Sequence, residues 1–351
     1  MMLAALRDWL RIRLGEVPGS RIAVAVSGGA DSIALAAALA LLLGDFDLSP
    51  SAVLVFAHFN HRLRASGEHD RDRAVVARLA GSCGVPFVYD SAQPGSIEAD
   101  AHAAGGIESA ARAARYRFLG RVCLAVGART VCTAHHADDQ IETVLMRLMA
   151  GQTGVQLAGI PDRRDFGTGV LLCRPLLSTG RGEIDAFLAE RNLEWHEDRS
   201  NDDQRFRRNR VRTEILPAVE REWPAVRRDL LQLSSAMKAR RLQSGSAAEL
   251  ASVAEDGGSA RVERRAFYAL ERDARLDLAY ETMRRLNLLK RRDRPGHRFF
   301  QPLLGPDPGS NRQLIAARGM RVRLEDESLV FEHDIVRSGE SRYLRKRSPE
   351  G

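Results

Sequence analysis

Lysine is nearly missing from this chain of 351 residues: only Lys238, Lys290 and Lys346 occur. A GxxxxGK[ST] nucleotide loop needs its lysine, and none of the three follows a glycine-rich turn, so that loop is excluded. The GxGxxG dinucleotide fingerprint is missing as well. The four cysteines, Cys83, Cys123, Cys132 and Cys173, form no CxxC pair and sit in or beside apolar stretches. They read as reduced core thiols, which excludes a zinc site, a redox pair or a disulfide framework. Long apolar runs are lacking too. The longest, 33–43, has 11 residues against the roughly 20 needed to cross a bilayer. The opening segment 1–14 has arginines at 7, 11 and 13 among leucines and reads as an amphipathic helix, not a secretory signal. The expectation is a cytoplasmic enzyme with no membrane partner.

What is abundant is arginine, which carries almost all of a net charge of +7. Guanidinium forks suit phosphate, so the balance favours an anionic partner. The length allows two or three domains with sizeable cores. From 21 to about 175, strand-like and helix-like runs alternate: strands at 22–26, 53–59, 85–89, 129–133 and 170–173, helices at 33–43, 68–83, 107–122 and 139–149. That alternation predicts an α/β fold, a parallel sheet with helices on both faces, binding its ligand beyond the carboxyl ends of the strands. Segments 94–106 and 151–169 are rich in small residues and read as flexible. Helices follow at 181–191 and 213–242, then a small C-terminal α+β domain with a helix at 271–289 and strands near 320–324 and 328–331. The expected division is a catalytic domain at 1–215, a helical connector at 216–243, a linker at 244–260, a small domain at 261–340 and a disordered tail at 341–351.

The polar residues gather where such a sheet binds ligands. After the first strand stands Ser27-Gly28-Gly29-Ala30-Asp31-Ser32, a turn with no side chain large enough to block backbone amides. Amides and a helix N-terminus around one point suit a phosphate or pyrophosphate. Asp31 would repel phosphate unless a divalent cation lies between them, which points to an Mg²⁺-dependent nucleotide site. His58, Asn60, His61 and Arg64 follow the second strand, where imidazoles and an amide suit a base or its phosphates. After the fourth, the chain reads His135-His136-Ala137-Asp138-Asp139-Gln140-Ile141-Glu142. Asp138 and Glu142 are four apart and share a helical face, an arrangement suited to Mg²⁺ or an amine. Arg112, Arg115 and Tyr116 share one side of the helix at 107–122, where they meet either phosphate or an acidic loop. Residues 199–212 hold six arginines against two acids. Arg199, Asn201, Arg205, Arg207, Arg208, Asn209 and Arg212 read as a clamp on a nucleic-acid backbone. A second basic cluster, 284–298, gives the small domain a basic face.

Taken in order, these segments closely resemble the tRNA(Ile)-lysidine synthetase family of PP-loop ATP pyrophosphatases. The resemblance runs from Ser27–Ser32 through His58–Arg64, Glu108 with Arg112 and Arg115-Tyr116, 135–143, Arg174-Pro175-Leu176-Leu177, and 197–217. It covers roughly residues 20 to 240, and 197–217 is its most specific part. It implies an adenine nucleotide alpha-hydrolase-like fold, ATP and Mg²⁺, and two further substrates, a tRNA(Ile) with a CAU anticodon and free L-lysine. By resemblance, ATP adenylates the wobble cytidine and lysine then displaces AMP. Ser27, Gly28, Gly29, Ala30 and Ser32, with His58, Asn60, His61 and His135, hold the nucleotide. Asp31 and Asp138 place the metal, Arg112 and Arg115 stabilise developing charge, and Asp138 with Glu142 receives the lysine amine. Two departures stand out. Arg62 replaces a usual glycine, and Thr153-Gly154-Val155-Gln156 replaces a glycine-leucine-arginine-glycine segment. A PP-loop enzyme that thiolates tRNA and an RNA-binding protein with a dead nucleotide fold are the rivals. The oligomeric state is left open, a homodimer among the options.

Overall fold

A computed structural model describes residues 1–63, 66–167, 169–196, 207–250, 253–256, 259–286, 297–309, 311–317 and 320–333. The chain divides into two compact units, Met1–Thr143 with Ile160–Arg227, and Val144–Gly159 with Arg228–Gly351.

The first unit is built on a six-stranded sheet. Its strands are β1 (Arg21–Ala25), β2 (Leu54–Asn60), β3 (Phe87–Ser91), β4 (Ala128–Cys132), β5 (Arg163–Gly167) and β6 (Val170–Cys173), in the order β3-β2-β1-β4-β6-β5. Pairing is parallel except for the β5–β6 hairpin. Alternation along β1 loads both faces: Ile22 and Val24 enter one core, Ala23 the other. The first core is topped by the helix Ala30–Leu43, whose alanines and leucines leave it apolar on nearly every side. It packs among the helices Met2–Glu16, Ser66–Cys83 and Arg181–Glu190. On the other face, Ile107–Val126 places Phe118, Leu119 and Val122 against Ala23, Val55 and Val131. Helices therefore cover both faces, as the sequence predicts.

Four expectations change. Residues 94–106 are not a loose loop. Ser96–Ala104 is a helix anchored by buried Ile97 and stopped at Gly105, φ 82°. The stretch 151–169 holds a 3₁₀ turn, Gly154–Ala158, and strand β5. The helix expected from 213 begins at Arg207 and widens into a π turn over Val211–Ile215 before Leu216–Glu222. Pro217 offers no N–H to the preceding turn, so an ordinary α ladder cannot run through it. After a break at Trp223-Pro224, Val226–Leu250 is helical, and β7 (Val253–Asp256) pairs with β8 (Ser259–Glu263). The described part of the expected 244–260 linker is thus helix and paired strands, against the loop that its small polar residues suggest.

The second unit carries an antiparallel sheet, β7-β8-β11-β10-β9, with β9 at Arg312–Ala317, β10 at Met320–Leu324 and β11 at Ser328–His333. Phe267, Leu276, Met283 and Phe300 from three helices pack with Val322 and Phe331 in its core. In the same unit Val155 and Gln156 are buried, and their 3₁₀ turn packs on the helix Arg272–Arg285. Where the resemblance would place an arginine, position 155 is an apolar contact. No helix among the described residues is long and apolar enough to cross a membrane.

Candidate active site

The turn after β1 is shaped by backbone before side chains. Gly28 takes φ +98°, and a Cβ there would stand 3.1 Å from the Cα and Cβ of Asp72. Only glycine fits both demands. Ser27 N–H donates to Ser32 Oγ (3.0 Å), Ser32 Oγ donates to the Gly29 carbonyl (2.8 Å), and the two hydroxyls lie 3.1 Å apart. Helix Ala30–Leu43 starts here with no side-chain cap, so its first amides and positive end face the turn. The turn is supported from behind. His196 N–H donates to the Gly28 carbonyl at 3.0 Å, and its Nδ1 lies 2.7 Å from Asp72 Oδ1.

Asp31, in the first turn of that helix, meets Arg181 Nη1 at 2.9 Å and His136 Nε2 at 3.5 Å. Burial alone would raise the Asp31 carboxyl. The His136 hydrogen bond and the charges of His136, Arg181 and Arg212 outweigh it and hold Asp31 ionised below its usual range. His136 shifts the other way. Burial opposes its protonation, but the Asp31 bond and the charges of Asp139, Asp31 and Asp138 win and raise it. Its neighbour His135 sits 3.0 Å from Thr133 Oγ1 and is pushed down to about 2 by burial and then by Arg174, Arg112, Arg115 and Arg208. Adjacent histidines are thus shifted in opposite directions, His135 by burial and the arginines around it, His136 by its carboxylate neighbours.

Asp139 caps its own helix, its Oδ2 accepting from His136 N–H at 2.9 Å. Glu142, 1 % exposed, is held at both oxygens, by Arg208 Nε (2.7 Å) and Arg212 Nε (2.6 Å). Arg208 also reaches Asp139 at 2.5 Å, and Asp138 pairs with Arg227 Nη1 at 3.1 Å. Two sequence expectations are altered here. The cations facing Asp138 and Glu142 are the protein's own arginines. Arg208 and Arg212 turn inward onto carboxylates, and the Asn209 carbonyl accepts from Thr213 Oγ1 (2.9 Å). Arg64, Arg199, Asn201 and Arg205, like the side chain of Arg207, lie outside the described residues, as do most of the 284–298 cluster and the tail.

After β2, His58 is buried. Its Nδ1 lies 2.8 Å from the Val26 carbonyl and its ring stacks on Tyr89 at 5.8 Å. It braces the strand end below the glycine turn. Asn60 Oδ1 accepts from Arg62 N–H (2.7 Å), and Arg62 has φ +55°. The position where the resembled family carries glycine thus keeps a left-handed turn, tied by an asparagine side chain. His61 packs edge-on to Phe59 at 5.2 Å. On Ile107–Val126, the guanidinium carbons of Arg112 and Arg115 lie 4.7 and 5.6 Å from the Tyr116 ring centroid.

Asp139 is one of the two residues that the sequence offers as a cap for the helix Ala137–Met149, and it is the one that caps; Asp72, His196, Arg181 and Arg227 carry no such signal. Each of these four is paired across more than 60 residues, a distance over which no local pattern points. As for a metal, no group of three or more His, Cys, Asp or Glu converges among the described residues. Magnesium needs only one or two carboxylates beside substrate phosphates, and Asp31 at the mouth of the turn fits. Asp138 is engaged by Arg227 as Asp31 is by Arg181, so either carboxylate would have to exchange an arginine for the ion.

The PP-loop domain family matches residues 6–219. Among curated proteins, the chain is 44% identical over 207 residues to a tRNA(Ile)-lysidine synthase of Geobacter sulfurreducens, covering 59% of this chain and 42% of that protein. It is 42% identical over 240 residues to one from Symbiobacterium thermophilum, covering 68% and 48%. A third, from Burkholderia mallei, is 35% identical over 286 residues, covering 80% and 55%. The chain therefore spans about half the length of the curated relatives it matches.

Proposed function

This chain belongs to the PP-loop domain family, and on that premise we propose that it is an ATP-dependent ligase that converts the wobble cytidine of a CAU-anticodon tRNA(Ile) to lysidine. The cytidine O2 attacks the α-phosphorus of ATP and pyrophosphate leaves. The ε-amine of free L-lysine then attacks C2, the C2–O bond breaks with AMP as leaving group, and the amine gives up its proton.

The observation that carries this reading is the meeting of an open-amide turn with an acid-rich helix start, joined through His136 and Asp31. Gly28 and Ala30 would offer backbone amides to the departing diphosphate, while Ser27, Gly29 and Ser32, whose amides are taken up within the turn, would meet it through the two serine hydroxyls and the close approach that Gly29 allows. Bound at Asp31, Mg²⁺ would neutralise phosphate charge. Arg112 and Arg115 would stabilise charge developing during transfer. Glu142 is saturated by two arginines, so its role is to anchor Arg208 and Arg212. Asp138, 27% exposed, is the better seat for the lysine amine, with Arg227 yielding to it. The thiolating rival is disfavoured because Cys123, Cys132 and Cys173 are buried, with their thiols pushed up by that burial. An inactive RNA-binding protein is disfavoured by the open turn and intact carboxylates.

The test is mass spectrometry of a CAU-anticodon tRNA(Ile) transcript after incubation with protein, ATP, Mg²⁺ and lysine. Lysine-dependent mass gain confined to the wobble cytidine is expected. ATP consumption with no lysine on the RNA would overturn the proposal.

A further inference from the structure

The arginines near the candidate site differ in what they meet. Arg181, Arg208, Arg212 and Arg227 each meet a carboxylate. Around Tyr116 the arginines gather on an aromatic ring. Arg112, Arg115 and Arg164 place their guanidinium carbons 4.7, 5.6 and 5.3 Å from one ring centroid. Arg174 stands in the same cluster, its charge felt by both Tyr116 and His135. Among the described residues, Arg115, Arg164 and Arg174 meet no carboxylate. Arg174 is 4 % exposed; its Nη1 donates to the Pro161 carbonyl at 2.5 Å, while its Nε is buried with no hydrogen-bond partner. The Arg115 Nε is buried in the same condition.

We propose that Arg112, Arg115, Arg164 and Arg174, gathered on Tyr116, form an anion site that holds a phosphodiester of the RNA chain beside the base to be modified. The inference rests on the RNA-modifying reading above and assigns its site a second half. One aromatic face does not offset several mutually repelling cations, and a buried guanidinium edge left without an acceptor is costly. A phosphate relieves both, and its paired oxygens match guanidinium forks. The tetrad already shapes its surroundings: burial would raise the Tyr116 hydroxyl, yet the charges of Arg112, Arg115, Arg174 and Arg164 outweigh it and lower its pKa. His135 stays neutral beside the cluster, while His136, the next residue, touches Asp31. The tetrad therefore borders the nucleotide turn, with Arg112 and Arg115, the pair placed at the transfer, on the shared side and Arg164 and Arg174 left to the second anion. Because that turn already offers amides to the diphosphate of ATP, the second anion is assigned to RNA.

Arg164 is the residue to change, since it lies on edge strand β5 and, among the described residues, meets no carboxylate in place of an anion. Binding of a fluorescent CAU anticodon stem-loop is followed by anisotropy across a salt series, and ATP binding by calorimetry, for wild type, Arg164→Gln and Arg164→Lys. Arg164→Gln is expected to weaken RNA binding about fivefold or more and to flatten the log–log salt slope by about 0.7 to 1. Arg164→Lys, keeping the charge, recovers most of the slope, and ATP affinity stays within about twofold of wild type. Unchanged RNA affinity and slope would show an internal arginine–tyrosine stack and overturn the site. Loss of ATP affinity with RNA binding intact would assign the anion to the nucleotide and also overturn it. A wild-type protein that binds no RNA at all would instead bring down the functional reading beneath it.

Discussion

At Gly28 a single methyl group is enough to disturb the turn proposed to hold phosphate. The added Cβ would need a left-handed backbone and would stand 3.1 Å from the Asp72 backbone. Gly28→Ala is expected to weaken ATP binding at least about tenfold, an effect of about 1.4 kcal/mol or more, readable by calorimetry; wild-type affinity would show that the turn does not hold the nucleotide. At His135 the prediction concerns pH. Its folded pKa of about 2 lies below the ordinary value, so the unfolded chain binds the extra proton first. Its neutral state in the folded protein costs nothing above about pH 6.5 and opposes folding by up to about 1.4 kcal/mol per pH unit below it. Arg112, Arg115, Arg174 and Arg208 face it, and none titrates in that window. Denaturant titrations of wild type and His135→Gln between pH 7 and 5 should therefore converge as pH falls, wild type losing stability faster. Parallel curves would show His135 to be solvated.

The helix start at 137–142 and the π-turned helix from Arg207 act as one element pair, locked by Glu142. Removing a buried partner of two guanidiniums leaves them unpaired, so Glu142→Ala should cost about 3 kcal/mol, discounted toward 2 because Arg208 and Arg212 are partly exposed. Chemical denaturation reads this directly, and a change under about 0.5 kcal/mol would mean that the pairs are exposed and weak. Little of that lock was legible in the sequence. Glu142 and Arg208 lie 66 residues apart, and an arginine run reads the same whether it faces RNA or an internal carboxylate. The strands β1, β2, β4 and β6 were legible because burial on both faces makes them continuous apolar runs. Strand β5 was not: Arg163-Arg164-Asp165 lies at the sheet edge, where polar residues are tolerated and no periodicity survives. The glycine turn was legible because its chemistry is local, whereas the Asp72–His196 support behind it joins positions 124 residues apart.

For the whole molecule, charge is the governing property. With a net +7 carried mainly by arginine, RNA affinity should fall steeply with ionic strength while ATP affinity changes little. Filter binding across a salt series reads this, and salt-independent RNA binding would contradict it. Four inward arginines spend their charge on carboxylates, so the net figure overstates what is available to RNA. The central claim is that the amide turn and Asp31 direct attack on the α-phosphorus of ATP by an RNA base. The most direct measurement is label transfer from α-³²P-ATP to a CAU-anticodon transcript with lysine withheld. The account predicts that label appears on the RNA and is discharged as AMP when lysine is added. Label that never reaches the RNA, or that arrives from the γ position instead, would contradict it.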